Sequence, residues 1–356
     1  MLRTIYFIIA ITAFSLANAQ TKTFKCQEIH RAIQLIDDEK YDEGIAILKD
    51  CEKKDPQDYT YPYEIAFAYI KKKDYKNAIS QLEKVEGYSN IDDYYYALLG
   101  SAYDLSNNPN QALKVYDEGL KRFPASGKLY LEKGVVLELE KKISNAIESY
   151  EAGIKADPSY PSNYYRVSRL YLDSNDLLSG LMYGEIFINL ERTTPRSQEI
   201  SQLLYNGYKK AVKFDNNQVQ VDFCPAIIDA QEYDKNNKLS WCIIFAKNFA
   251  LSALNTKEIN LDILSSVRRQ FLKEYYVKDY KDYPNVLMDY HKTMENNKVF
   301  DAYNHYIFQI GDQEAFKDWK VKNGKEYNTF VEWYTADKNV LKIDRNNIYI
   351  SDQIKK

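Results

Sequence analysis

The residue types that do acid–base, nucleophilic or metal chemistry are sparse here, and their spacing is wrong. The 356 residues hold three histidines, His30, His291 and His305, and the last two are not at a helical ligand spacing. There is no HExxH pair, no GxSxG elbow and no glycine-rich phosphate loop. Asp173-Ser174-Asn175-Asp176 begins like a calcium loop, but the sixth position, where such a loop needs glycine, is Leu178. The four cysteines, Cys26, Cys51, Cys224 and Cys242, form no CxxC metal knuckle or redox pair. Carboxylates are plentiful, yet no pair stands apart from ordinary solvated helix faces. No catalytic residue, metal ligand or cofactor is therefore assigned. The balance of 48 Lys and Arg against 51 Asp and Glu gives a net charge of -3, so no electrostatic case for nucleic acid exists.

What the chain does offer is pattern. Hydrophobic residues make up 45%, enough for a sizeable core, while only 12 Gly and 9 Pro favour helices over loop-rich β folds. The stretch NNPNQALKVYDEGLKRFP, ending at Pro124, is followed 34 residues later by KKISNAIESYEAGIKADP, ending at Pro158. With these prolines in one register, a small slot reads Gly44, Ala78, Ala112, Ala146 and Gly180. A second small slot reads Ala32, Ala66, Gly100, Gly134 and Ser168, and a large slot reads Leu35, Tyr69, Tyr103, Leu137 and Tyr171. A bulky slot reads Leu48, Leu82, Tyr116 and Tyr150, and fails at Gly184.

This resembles the tetratricopeptide repeat family, whose unit carries a W-x2-L-G-x2-Y…A-x3-F…P skeleton. The third copy fits best: Tyr96-x2-Leu99-Gly100-x2-Tyr103, then Ala112-x3-Tyr116, then Pro124, with Tyr in place of Trp and Phe. The resemblance implies an all-α, right-handed superhelix of antiparallel helix pairs over 20–195. Its repeats run 25–58, 59–92, 93–126 and 127–160, with a degenerate copy at 161–195. Small residues let the paired helices approach, and the proline stops the second helix. One pair cannot bury its apolar face alone, so each copy is the packing surface for the next.

The resemblance also implies a concave groove lined by the first helix of each repeat. Its lining positions here include Tyr63, Phe67, Lys71, Tyr94, Asp104, Leu131, Glu138, Tyr165 and Arg169. That set is aromatic with mixed charge, and tyrosine offers contact area and a hydroxyl at low entropic cost. Some family members clamp a peptide carboxylate with Lys and Asn; the first-repeat clamp positions are Ile29 and Ile33, which argues against that clamp. In a helical hairpin the start of the first helix lies beside the end of the second. Cys26 and Cys51 hold those places, so a disulfide is expected there, with Cys224 and Cys242 as a further candidate pair.

Met1-Leu2-Arg3, the apolar run Ile5 to Leu16 and Ala17-Asn18-Ala19 read as a signal peptide cleaved after Ala19. The mature chain is expected to be periplasmic or extracellular. Lys25 before Cys26 does not suit a lipid-attachment site. Residues 196–356 lose the period and read as mostly helical, either degenerate repeats or a separate domain. Phe300, Tyr303, Ile307 and Ile310 share one helical face, as do Tyr327, Phe330, Val331 and Tyr334. Helices are expected around 239–254 and 261–277, extended chain at Val219, Val221 and Phe223, and a hairpin turning at Asn346-Asn347.

The leading expectation is an exported, non-enzymatic scaffold that binds a protein or peptide in its groove, in cell-envelope assembly. Two alternatives stand beside it. One is a glycan-binding module using aromatic rings as sugar platforms. The other is an enzyme whose site lies in 196–356, which His291 in a deep pocket would favour.

Overall fold

The computed structural model describes residues 24–215, 218–225 and 239–351. The expected signal segment, 1–19, lies outside them. Helices dominate, and the chain divides into two compact units, Met1–Ile91 and Asp92–Lys356. No helix among the described residues is long and apolar enough to cross a membrane.

The first unit holds two helix pairs, α1 (Ile29–Asp37) with α2 (Tyr41–Lys54) and α3 (Thr60–Lys71) with α4 (Tyr75–Glu83). Ile29, Ala32, Ile36, Ile45, Leu48, Ile65 and Ala68 form a core that includes both cysteines. Cys26 is bonded to Cys51 with their Cα atoms 5.2 Å apart. By loop-closure reasoning this link contributes roughly 3 kcal/mol.

The second unit continues the pairs: α5 (Asp93–Leu105) with α6 (Pro109–Arg122), α7 (Gly127–Leu139) with α8 (Ile143–Ala156), and α9 (Pro161–Leu172) with α10 (Leu177–Leu190). Pro124 and Pro158 fall just past α6 and α8, where they block continuation.

The turn between paired helices repeats as strictly as the helices do. Glu39, Lys73, Asn107 and Lys141 occupy one slot, and each has a positive φ of 60–67°. At Lys141 the amide reaches back to Glu138 O and the next amide, Lys142, to Leu137 O; the other three turns pair likewise. This is a Schellman closure, built here on side-chain-bearing residues rather than glycine.

The row of first helices runs one helix beyond the expected end of the period. Helix α11 (Pro195–Ala211) packs on α9 as α9 packs on α7. Thr194 caps it at the slot where Ser126 caps α7 and Asp92 caps α5. A short antiparallel hairpin then replaces the next second helix: β1 (Val212–Asp215) pairs with β2 (Gln218–Val221), and Phe223 lies beyond the strand.

The remainder is helical: α12 (Trp241–Ala253), α13 (Leu261–Lys278), α14 (Val286–Asn296), α15 (Phe300–Ile307), α16 (Gln313–Lys322) and α17 (Gly324–Thr335). Cys224 is bonded to Cys242 at the start of α12. The turn joining α14 to α15 has the repeat geometry: Lys298 has φ 58°, and Lys298 and Val299 N–H reach Glu295 O and Met294 O. Three expectations shift. Ile310 follows α15 rather than belonging to it, Val331 faces outward at 36% exposure, and the expected hairpin is only a tight bridge between Asp344 and Asn347.

Helix α10 explains why this half docks onto the repeats. Its sequence, LLSGLMYGEIFINL, is apolar on every side, and residues 177–189 are all buried. A helix apolar all round needs cover all round. Gly184, where the bulky slot fails, lets α10 close on its neighbours. A Cβ there would stand 2.6 Å from Ser168 Oγ and 2.9 Å from Leu204 Cδ2. A final strap returns over the second helices. Arg345 Nη2 donates to Ala156 O at 2.7 Å, and Ser351 is fully buried, its hydroxyl 2.6 Å from Glu151 Oε1. Tyr171 and Tyr183 hydroxyls donate to the same oxygen.

Candidate partner-binding face

In the first unit, Tyr63, Phe67 and Lys71 lie along α3, each partly buried. Lys71 Nζ sits 5.2 Å from the Phe67 ring centroid, and Tyr63 packs edge-on against Tyr59 at 6.0 Å. Glu64, between them, is half-buried; desolvation, with Asp37 adding to it, pushes its carboxyl up to about 7.

In the second unit, Tyr94 on α5 is 49% exposed, with the ammonium of Lys128 on α7 over its ring at 3.6 Å. Asp104, Leu131 and Glu138 are partly buried, and Leu131 packs against the core. Glu138 accepts from the Tyr150 hydroxyl at 2.8 Å and faces Arg166 Nη1 at 3.7 Å. Tyr165 is 5% exposed, and its hydroxyl donates to Glu199 at 2.7 Å. Arg169 reaches the same carboxylate at 3.0 Å. Tyr165 thus ties α9 to α11, and its ring is covered by Arg169 and Arg196. Tyr94, Asp104, Glu138 and Arg169 keep partial exposure on the first-helix row.

Side chains missed from the sequence make much of this face. Lys128, Glu132, Arg166 and Glu199 stand on successive first helices beside the residues that were picked out. Lys128 and Glu199 stand in the very slots of Tyr94 and Tyr165, 34 residues on, while Glu132 and Arg166 follow Leu131 and Tyr165 by one position.

His291 is buried and bonded rather than lining an open cleft among those described. Its Nε2 lies 2.7 Å from Glu185 Oε1, the oxygen that also accepts from Arg268 at 2.5 Å and Tyr303 at 2.8 Å. Glu185, Arg268 and His291 are all buried. Burial alone would raise the Glu185 carboxyl, but the charges and hydrogen bonds of Arg268 and His291 overcome it and hold it at about 2. Burial lowers the His291 pKa, against the pull of Glu185. This cluster joins α10 to α13, α14 and α15. The other C-terminal imidazole, His305, is stacked on Trp319 at 4.1 Å and bonded to Asp262. A cleft of about 180 Å³ beside Arg192, Gln198, Tyr306 and Gln309 has no carboxylate, histidine or cysteine in its lining.

Paired helices with a fixed turn, stacked through small residues, define a helical-repeat protein. Family models described as tetratricopeptide repeat match residues 63–90 and 98–161, so the chain carries tetratricopeptide repeats there. Among solved structures it is similar to YrrB, described as a TPR protein with an unusual peptide-binding site. The identity is 18%, covering 47% of this chain and 87% of that one, with a TM-score of 0.35. TTC0263, a thermophilic TPR protein of Thermus thermophilus, matches at 19% identity over 49% and 96% of the two chains, TM-score 0.41. Pseudomonas aeruginosa pilF matches at 14% identity over 51% and 82%, TM-score 0.43. No curated protein matches the chain.

Proposed function

We propose that the chain is an exported, non-enzymatic scaffold that binds a protein or peptide partner on its first-helix face and serves assembly at the cell envelope. The observation that carries the binding role is the open ring of Tyr94. On α5, whose other side chains are buried or half-buried, it is 49% exposed, beside half-buried charged side chains of α7. An exposed ring amid half-buried charge is the anatomy of a contact surface. Export rests on the residues before Gln20, and the envelope role joins export to scaffolding.

A pull-down from an envelope extract with residues 20–356 as bait tests the binding role. The comparison bait carries Tyr94→Ala and Asp104→Ala and must keep its helical circular dichroism. A protein held by the first bait and lost by the second is expected; equal capture by both would overturn the assignment of the face. N-terminal sequencing of the chain from fractionated cells tests export, with Gln20 as the expected first residue.

A further inference from the structure

Glu132 is the side chain on this face with its bonding unspent. It lies on α7 one turn beyond Lys128, is half-buried, and makes no hydrogen bond or ion pair among the described residues. Its neighbouring carboxylates are engaged. Asp92 caps the Tyr94 amide at 3.0 Å, Asp93 accepts from the Ser126 hydroxyl at 2.5 Å, and Glu138 is held by Tyr150. Desolvation raises the Glu132 carboxyl even though Lys128 and Arg166 oppose the shift. The site therefore holds a poorly hydrated carboxylate that Lys128 and Arg166 compensate only in part and at a distance, an unfavourable state that a cation in direct contact relieves.

The walls suit a cation as well. The hydroxyls of Tyr116, Tyr150 and Tyr160 all lie within the field of Glu132. One turn before it on α7, Lys128 lays its ammonium on the open Tyr94 ring rather than on the carboxylate. The arrangement also recurs. Glu64 occupies the slot two repeats earlier that Glu132 occupies here, the sixth position of its repeat. It too is half-buried and without a hydrogen bond or ion pair among the described residues. Two unpaired carboxylates at one slot, in two separate units, are more than the scatter of a solvated helix face.

We propose that this face takes an extended basic segment of the partner, with one lysine or arginine cation seated on Glu132 beside the Tyr94 ring. The inference rests on the partner-binding reading above and adds its charge. Its cation supplies the direct counter-charge that the half-buried carboxylate lacks. Lys128 competes with that cation for the Tyr94 ring.

The test selects random displayed peptides on the folded chain, 20–356. The winning peptides are synthesised, and their affinities are measured for wild type, Glu132→Gln, Lys128→Ala and, as a distant control, Glu314→Gln. The expected winners carry Lys or Arg at a fixed position. Glu132→Gln weakens them roughly tenfold, about 1.4 kcal/mol, and acetylating the peptide lysine causes the same loss in wild type and none in the variant. Lys128→Ala binds as tightly or more tightly, and Glu314→Gln binds like wild type. Winners without a basic residue, or basic winners indifferent to Glu132→Gln, would overturn the charge assignment and leave the scaffold standing. Should no peptide bind at all, both readings fall together.

Discussion

The ring of Tyr116 fills the space that a side chain at Gly100 would need. A Cβ at Gly100 would stand 2.5 Å from Tyr116 Cζ, and one at Gly134 would stand 2.7 Å from Tyr150 Cδ1. The same glycine–tyrosine pair thus holds the two helices together in consecutive repeats. Gly100→Ala and Gly134→Ala should each destabilise by about 1–3 kcal/mol, the usual cost of overpacking a full core. Urea unfolding should show the midpoint shift. Either variant combined with Tyr→Phe at its partner should stay destabilised, because the clash is with the ring and not with the hydroxyl.

Removing the charge at Glu185 should be worse. Glu185→Gln leaves the Arg268 guanidinium buried without its counter-ion, a loss of roughly 3–5 kcal/mol. Replacing Glu185 and Arg268 together by Leu and Met should recover much of it. The two variants are compared by their unfolding midpoints.

The same cluster sets an acid limit. Glu185 is held at about 2, below its unfolded value, so its contribution is complete above about pH 4.5 and is lost as the pH falls toward 2. His291 is also lowered, so the folded form resists protonation that the unfolded chain accepts below about pH 6.5; stability again falls with acid. Unfolding midpoints should therefore drop as the pH falls from about 6.5, and the further loss from about 4.5 toward 2 should be absent in the Leu–Met double variant, which lacks Glu185.

Glu64 works in the opposite sense. Its folded value of about 7 lies above the unfolded one, so the folded chain binds the extra proton. Stability from this group is present at low pH and is lost as the pH rises through about 7. Glu64→Gln should stabilise by on the order of 1–3 kcal/mol near pH 8 and have little effect near pH 5. Equal effects at both would sink the assignment.

The turn residues give a gain. Lys141 and Lys298 hold positive φ with a side chain attached, which costs about 1 kcal/mol. Lys141→Gly and Lys298→Gly should each raise the thermal midpoint. A fall at Lys298 would show that the C-terminal turn is held by something other than its backbone form.

The repeats were legible because their packing is written in residue size. Ala146 and Gly134 announce a close helix pair, and Pro158 announces its end. The expected period ended at 195, one helix short, although Thr194-Pro195 opens α11 as Tyr160-Pro161 opens α9. The row of first helices stops at the hairpin after Ala211, where the chain leaves the period. The pair α14–α15 keeps the repeat turn, yet its two small slots hold large residues. Gly134 precedes its turn lysine by seven positions and Ala146 follows it by five; His291 and Tyr303 stand at those distances from Lys298. Size no longer marks the register there, because these side chains reach outward to Glu185. The one clue was Glu185 itself, a lone charge in a helix apolar on all sides. The Glu132 site was hidden for the converse reason: nothing in a solvated-looking helix face tells a paired carboxylate from an unpaired one.

The strap over α8 also bears on how the chain comes into being. Glu151 closes its hydroxyl contacts only when Ser351 arrives, 200 residues downstream. During synthesis from the N-terminus, Tyr171 and Tyr183 can reach this carboxylate as their helices form, but the third hydroxyl comes only with the strap. The repeats are thus a growing stack whose outer side is sealed late, and a chain halted before the strap carries an open seam for helpers or proteases to find.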